Sequence, residues 1–74
     1  MINVIFIKHS WKINVLCLLD DKSSDIIQIY RNKTLDNDEP LYFYNNARRL
    51  EPSYTVAQSG KINGSLINVI KPNI

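Results

Sequence analysis

The chain carries no internal disulfide and no structural zinc site, because its 74 residues include one cysteine, Cys17, and one histidine, His9. A lone cysteine cannot close an internal bridge, and one cysteine with one histidine cannot supply the three or four ligands that structural zinc needs. A domain of this length buries only about 60–65% of its unfolded surface, so its apolar core must be well patterned. Apolar residues make up 45% of the sequence, which is enough for one domain spanning residues 1–74.

The charge distribution limits the classes of partner. Nine Lys and Arg residues against seven Asp and Glu give a net charge of +2, and the signs are interleaved along the chain. The sequence has no basic stripe that would neutralise phosphates, so we expect no nucleic-acid partner. Lys8, His9 and Lys12 interrupt the apolar first 19 residues, which are therefore neither a signal peptide nor a membrane span. We expect no membrane partner, no cofactor and a cytoplasmic or nuclear location.

Two segments near the start are rich in Ile, Val, Leu and Phe and predict strands. They cover residues 2–7 and 13–19, and the short polar segment between them predicts a β-hairpin. The side chains expected to face the core from this hairpin are Ile5, Ile7, Ile13, Val15, Cys17 and Leu19.

A polar segment at residues 20–25, rich in helix-capping residues, precedes a predicted helix. Ile26, Ile29 and Tyr30 recur at helical spacing and predict one apolar face, which would pack through Ile26 and either Ile29 or Tyr30.

The second half predicts further short elements. Residues 41–44 form an aromatic strand after Pro40, and a brief extended piece begins at Leu50. Residues 55–60 predict a single helical turn that Gly60 ends, and a tight turn at Gly64 leads into an alternating last strand at residues 66–70. The element order predicts an α+β fold with one helix across a mixed sheet.

The order and spacing of residues 50–70 resemble the ubiquitin-like family. Leu50-Glu51, a polar spacer, Thr55-Val56, Ser59-Gly60 and Asn63-Gly64-Ser65 before a closing strand follow that family's consensus without a gap. The resemblance implies a ubiquitin-like β-grasp, a mixed four- to five-stranded sheet with one main helix packed across it. Leu50 and Val56 are then the apolar plugs that close the ends of the sheet.

The candidate chemical groups all have simpler interpretations. We expect Cys17 to pack in the core and His9 to be a solvated turn residue, so neither forms a nucleophilic site. The acidic residues Asp36, Asp38 and Glu39 lack the glycine and the distant glutamate of an EF-hand loop. They also precede the third strand, whereas the acidic motif of the related PB1 family follows it. We therefore expect a solvated loop, with no metal site.

The resemblance implies a non-enzymatic domain that binds partner proteins non-covalently. One hypothesis is an adaptor of the ubiquitin–proteasome pathway that docks on ubiquitin receptors, such as proteasomal or AAA-ATPase machinery. The alternative is a small structural subunit or modifier built into a larger assembly. Modifiers of this family need a terminal Gly-Gly, whereas this sequence ends Lys71-Pro72-Asn73-Ile74. We therefore expect no conjugation of this chain as given.

The resemblance also implies where the binding surface lies, since this family is recognised through outward side chains of the third and last strands. The alignment directs Tyr42, Tyr44, Ile67 and Val69 inward. The predicted protein-binding residues are Phe43 and Ile70, with Asn68, Leu41, Arg48 and Arg49 beside them. Trp11 either covers the short hairpin or anchors a partner, and the alternative binding face carries Phe6 and Trp11.

Overall fold

A computed structural model describes residues 1–35 and 40–72 of the chain. The elements of the described residues are β1 (Ile2–Lys8), β2 (Trp11–Cys17), α1 (Ser23–Thr34), β3 (Tyr42–Asn45), β4 (Arg48–Arg49) and β5 (Ser65–Ile70). The sheet order is β2-β1-β5-β3-β4. The first and last strands, β1 and β5, run parallel at its centre, and the other pairs are antiparallel. The predicted mixed sheet with one helix is confirmed.

The predicted hairpin joins β1 to β2 through a two-residue loop, His9 and Ser10. Lys8 pairs with Trp11 across the end of the ladder. His9 takes a left-handed backbone conformation, with φ at 55°, which lets so short a loop reverse the chain.

Helix α1 begins where the polar segment predicts it. The Asp25 carboxylate lies in the first turn and accepts the backbone N–H of Lys22 at 3.4 Å, where a negative charge also suits the helix dipole. Ile26 and Tyr30 are fully buried against the sheet, and Ile29 packs at the edge of the core. The predicted apolar face of the helix is confirmed.

The predicted inward face of β1 is wrong. Val4 and Phe6 point into the core with no exposed surface, whereas Ile5 and Ile7 lie on the opposite side of the sheet. The register explains this, because Val4 pairs with the buried Val15 and paired residues share a face. Apolar residues occupy both faces of β1, so its sequence shows no alternation that could set which side faces inward.

Strand β2 matches the prediction over most of its length. Val15 and Cys17 are buried, and Ile13 packs against the core. Leu19 was expected on the same face, but β2 ends at Cys17 and Leu19 remains 48% exposed. The chain turns away from the sheet at that point to reach α1.

The predicted orientation of β3 is wrong by one residue. Phe43 points inward and is 6% exposed, while Tyr42 and Tyr44 lie half-buried on the other side. The Phe43 ring meets the rings of Phe6 and Tyr30 edge-on, with centroids 6.0 and 5.9 Å apart. A phenylalanine has no hydroxyl to satisfy, so it is the aromatic residue of this strand that suits full burial.

Both predicted plugs are buried. Val56 is inaccessible and its backbone N–H donates to the Asp21 carbonyl at 2.7 Å, which ties the long connection before β5 to the start of α1. Leu50 is 6% exposed and follows β4 directly. The extended piece predicted to begin at Leu50 therefore lies just before it, at Arg48–Arg49.

The connection into β5 follows the predicted turns. Residues 55–60 contain two hydrogen bonds of helical type, from the Ser59 N–H to the Thr55 carbonyl and from the Gly60 N–H to the Ala57 carbonyl, both at 3.0 Å. Gly60 and Gly64 then adopt φ values of 71° and 88°, which glycine tolerates without steric cost.

Candidate protein-binding face

Among the described residues, the helix covers one side of the sheet and no element covers the other side. We call this second side the outer face. Its strand side chains, by register, are Asn3, Ile5, Ile7, Lys12, Asn14, Leu16, Tyr42, Tyr44, Arg49, Leu66, Asn68 and Ile70.

One row of directly paired residues crosses the outer face from edge to edge. It runs Lys12, Ile7, Asn68, Tyr44 and Arg49, one residue from each of the five strands. Adjacent strands lie about 4.8 Å apart, so the two cationic ends of the row are about 19 Å apart. Apolar and neutral groups fill the space between them.

Apolar side chains flank this row. Ile70 is 46% exposed and pairs with Tyr42, and Leu66 is 47% exposed and pairs with Ile5. Single exposed apolar residues are common on small domains. Here both lie on one sheet surface, on either side of Asn68, and each is paired with a further apolar or aromatic residue. Apolar residues arranged on one surface in this way are typical of an interaction site.

Arg49 is held against the outer face by an aromatic ring. Its guanidinium carbon lies 4.6 Å from the centroid of the Tyr42 ring. A cation–π contact of this kind contributes about 0.5–1 kcal/mol at an exposed site. It orders the guanidinium at the rim before any partner arrives.

Acidic side chains are missing from the sheet. The five described strands contain no aspartate or glutamate, although they carry the cations Lys8, Lys12, Arg48 and Arg49. The charged strand residues on the outer face, Lys12 and Arg49, are thus both positive.

The structure keeps three of the six predicted binding residues on this face. Ile70, Asn68 and Arg49 lie on it, as predicted. Phe43 and Leu41 do not, because they are 6% and 7% exposed and belong to the core.

Arg48 is also misplaced in the prediction. It pairs with Asn45, one position out of phase with the Tyr44–Arg49 pair, so it points to the helix side of the sheet. The one-residue error in β3 also hid Tyr42 and Tyr44. The Tyr-Phe-Tyr sequence contained a usable signal, since tyrosines keep their hydroxyls near water while phenylalanine is buried.

The alternative face proposed from the sequence does not form. Phe6 is fully buried. Trp11 is 63% exposed at the end of the hairpin, so it does not fold back over the loop. Whether Trp11 contacts a partner stays a prediction.

The remaining chemical candidates are where the sequence predicts them. Cys17 is 2% exposed, and burial, with a smaller effect of the Asp21 charge, raises the pKa of its thiol. A raised thiol pKa disfavours the thiolate, which is the nucleophilic form. His9 is exposed in the hairpin loop.

Two negative findings apply to residues 1–35 and 40–72. No group of three or more His, Cys, Asp or Glu side chains is placed to hold a metal ion, and no helix there is long and apolar enough to cross a membrane. The predicted acidic loop of Asp36, Asp38 and Glu39 lies outside the described residues.

Comparison by sequence finds nothing: no family model matches the chain, and no curated protein matches it. Comparison by structure finds similar folds. A chain in the crystal structure of ATBAG1 in complex with HSP70 superposes with a TM-score of 0.86 at 11% identity, over 96% of this chain and 40% of that one. The present chain thus spans about two fifths of the length of that relative.

Two further solved structures have a similar fold. The solution structure of the N-terminal ubiquitin-like domain in the 4931431F19Rik protein has a TM-score of 0.81 at 14% identity, over 99% of this chain and 76% of that one. A structure described as molecular mimicry of SUMO that promotes DNA repair has a TM-score of 0.82 at 14% identity, over 95% and 90% of the two chains. The chain therefore has the ubiquitin-like β-grasp fold, as its resemblance to that family implies.

Proposed function

We propose that this chain is a non-enzymatic, non-covalent protein-binding domain that engages its partner through the outer face. The partner presents apolar side chains flanked by carboxylates. The observation that carries the proposal is the row from Lys12 to Arg49, which is cationic at both ends and uncharged between them.

The apolar contribution comes from the side chains beside the row. Ile70 and Leu66 leave nearly half of their surface in water, so folding alone gains little from them. Fully burying an isoleucine or leucine from water is favourable by about 1.5–3 kcal/mol, so burying the half that each of these still exposes contributes about 1 kcal/mol. Tyr42 and Tyr44 add broad, rigid contact area, and tyrosine is enriched among residues that dominate binding energy.

The charges define the chemistry of the partner. Because Lys12 and Arg49 lie at the rim of the outer face and its described strands contain no carboxylate, acidic groups on the partner are attracted to both ends of the row. Such charges accelerate encounter and set orientation more than they add affinity. The complex of ATBAG1 with HSP70 supports a protein as the class of partner.

The test uses a synthetic amphipathic helix of about 20 residues, with an Ala/Leu face flanked by glutamates. A second peptide carries lysine at every glutamate position. Isothermal titration should show the acidic peptide binding and the lysine peptide binding at least about tenfold more weakly, because only the first complements the rim. Ile70→Ala should weaken the acidic peptide about fivefold or more, the equivalent of about 1 kcal/mol.

Leu35→Ala is the matched control. Leu35 is 79% exposed at the C-terminal cap of α1, so it lies outside the sheet and its outer face. Its substitution should leave the affinity unchanged. Equal binding of the two peptides, binding of neither, or equal losses in the two alanine variants would contradict the proposal.

A further inference from the structure

Lys61 is a buried cation that the outer face does not use. Its side chain is 5% exposed, and its ammonium donates to the Asn45 Oδ1 and to the Ser59 carbonyl, both at 3.0 Å. Neither acceptor is a carboxylate, so the positive charge is compensated only by dipoles. An ammonium has three N–H donors, and these two bonds leave the third without an acceptor among the described residues.

The surroundings hold Lys61 in place. Asn45 donates its amide to the Leu66 carbonyl at 2.6 Å, which fixes the oxygen that accepts from Lys61. The turn between β3 and β4 has left-handed conformations at Asn46 and Ala47, with φ at 51° and 64°. This is the pattern of a tight two-residue hairpin turn, and it sets Arg48 directly opposite Asn45.

Lys61 lines a cleft of about 300 Å³ between this turn and the connection at residues 54–61. Arg48 and Arg49 line the same cleft, and Glu51 is its one acidic residue. The Glu51 carboxylate is already engaged, since its Oε1 accepts from the backbone N–H and the hydroxyl of Ser53 at 3.3 and 3.0 Å.

Gln58 adds an uncharged donor to the cleft. The Gln58 Oε1 accepts the Thr55 N–H at 2.9 Å. The amide NH₂ of Gln58 therefore remains as the donor that this side chain offers to the cleft.

The Arg49 guanidinium is held on the Tyr42 ring of the outer face. The Arg48 guanidinium and the Lys61 ammonium against the Glu51 carboxylate therefore leave the cleft with one net positive charge. A phosphorylated side chain carries about −1.5 to −2 charges and three acceptor oxygens, and guanidinium groups match its geometry.

We propose that this cleft binds a phosphoryl group on a partner protein, with the Arg48 guanidinium and the Lys61 ammonium as the principal donors. The site lies at the β3–β4 turn and does not depend on the apolar contacts of the outer face. Burial lowers the pKa of Lys61, and a bound anion opposes that effect because it favours the charged form.

The experiment titrates the whole chain with inorganic phosphate at constant pH and ionic strength and follows backbone and arginine side-chain N–H signals by NMR. Saturable shifts are expected at residues 45–49 and 58–61. Sodium acetate should bind at least about tenfold more weakly, because it carries one charge and two acceptor oxygens. Bound phosphate should also raise the pKa of Lys61, measured from its side-chain signals.

Arg48→Gln should weaken phosphate binding about tenfold or more. Arg48 is exposed, so the variant should keep its fold, which a thermal melt checks. Lys61→Met should abolish the shifts. Phosphate affinity should stay unchanged in Lys12→Gln, which removes a cation from the far edge strand, and in Ile70→Ala. The phosphoryl-site proposal and the outer-face proposal can therefore fail separately. Non-saturating shifts, acetate binding as tightly as phosphate, or an Arg48→Gln variant with full affinity would overturn the phosphoryl site.

Discussion

Replacing Phe43 by alanine tests the orientation of β3, which decides both the core and the outer face. The structure places the Phe43 ring edge-on against two other aromatic rings, at 6.0 Å from Phe6 and 5.9 Å from Tyr30. Its neighbour Tyr44 is half-buried on the opposite side of the sheet. If Tyr44 pointed inward instead of Phe43, Tyr44→Ala would therefore cost more stability than Phe43→Ala.

The magnitude follows from burial and ring contacts. Truncating a buried phenylalanine to alanine costs about 3–5 kcal/mol, of which two aromatic pairs account for about 0.5–1.5 kcal/mol each. Truncating Tyr44 removes cross-strand contacts with Asn68 and Arg49, which are worth about 0.2–1 kcal/mol each. A chain of this length has a free energy of unfolding of about 4–11 kcal/mol, so Phe43→Ala should remove a large part of the stability.

Urea denaturation measures the difference. With a slope near the low end, about 1 kcal/mol per molar, Phe43→Ala should lower the midpoint by about 3 M or leave the chain unfolded. Phe43→Leu keeps an apolar side chain at the site and should lose less than the alanine variant. Tyr44→Ala losing more stability than Phe43→Ala would refute the orientation.

Two further predictions concern buried groups. The Cys17 thiol is buried with a raised pKa. An aromatic disulfide reagent should therefore react with the folded chain at least about 100-fold more slowly than with the urea-unfolded chain, as expected for an opening free energy of about 3 kcal/mol. Equal rates would contradict the burial of Cys17. The pKa of Lys61 is lowered in the folded state, so between that pKa and the usual lysine value the unfolded chain binds more protons and stability rises with pH. Urea denaturation from about pH 8 to about pH 10 should show the stability of the unsubstituted chain rising relative to that of Lys61→Met, and a constant or falling difference would contradict this assignment.

The sequence alone determined the course of the chain and the features that arise locally. The helix at Ile26 and Tyr30 follows from side chains three to four positions apart, and the turns at Gly60 and Gly64 follow from the backbone freedom of glycine. The last strand was predicted with the right orientation, since Ile67 and Val69 are buried as expected. They alternate along the strand with the residues of the other face, and such alternation indicates which side chains share a face.

Only the tertiary structure decided which side of β1 and β3 faces the helix. Both strands are apolar or aromatic on both faces, so apolar alternation does not set which side faces inward, and the hydroxyls of Tyr42 and Tyr44 are the one local signal in β3. Val4 faces inward because Val15 does, and the Phe43 ring faces inward where it packs against Phe6 and Tyr30. The cationic row ends arise in the same way, since Lys12 and Arg49 come to opposite ends of one row only when the five strands assemble.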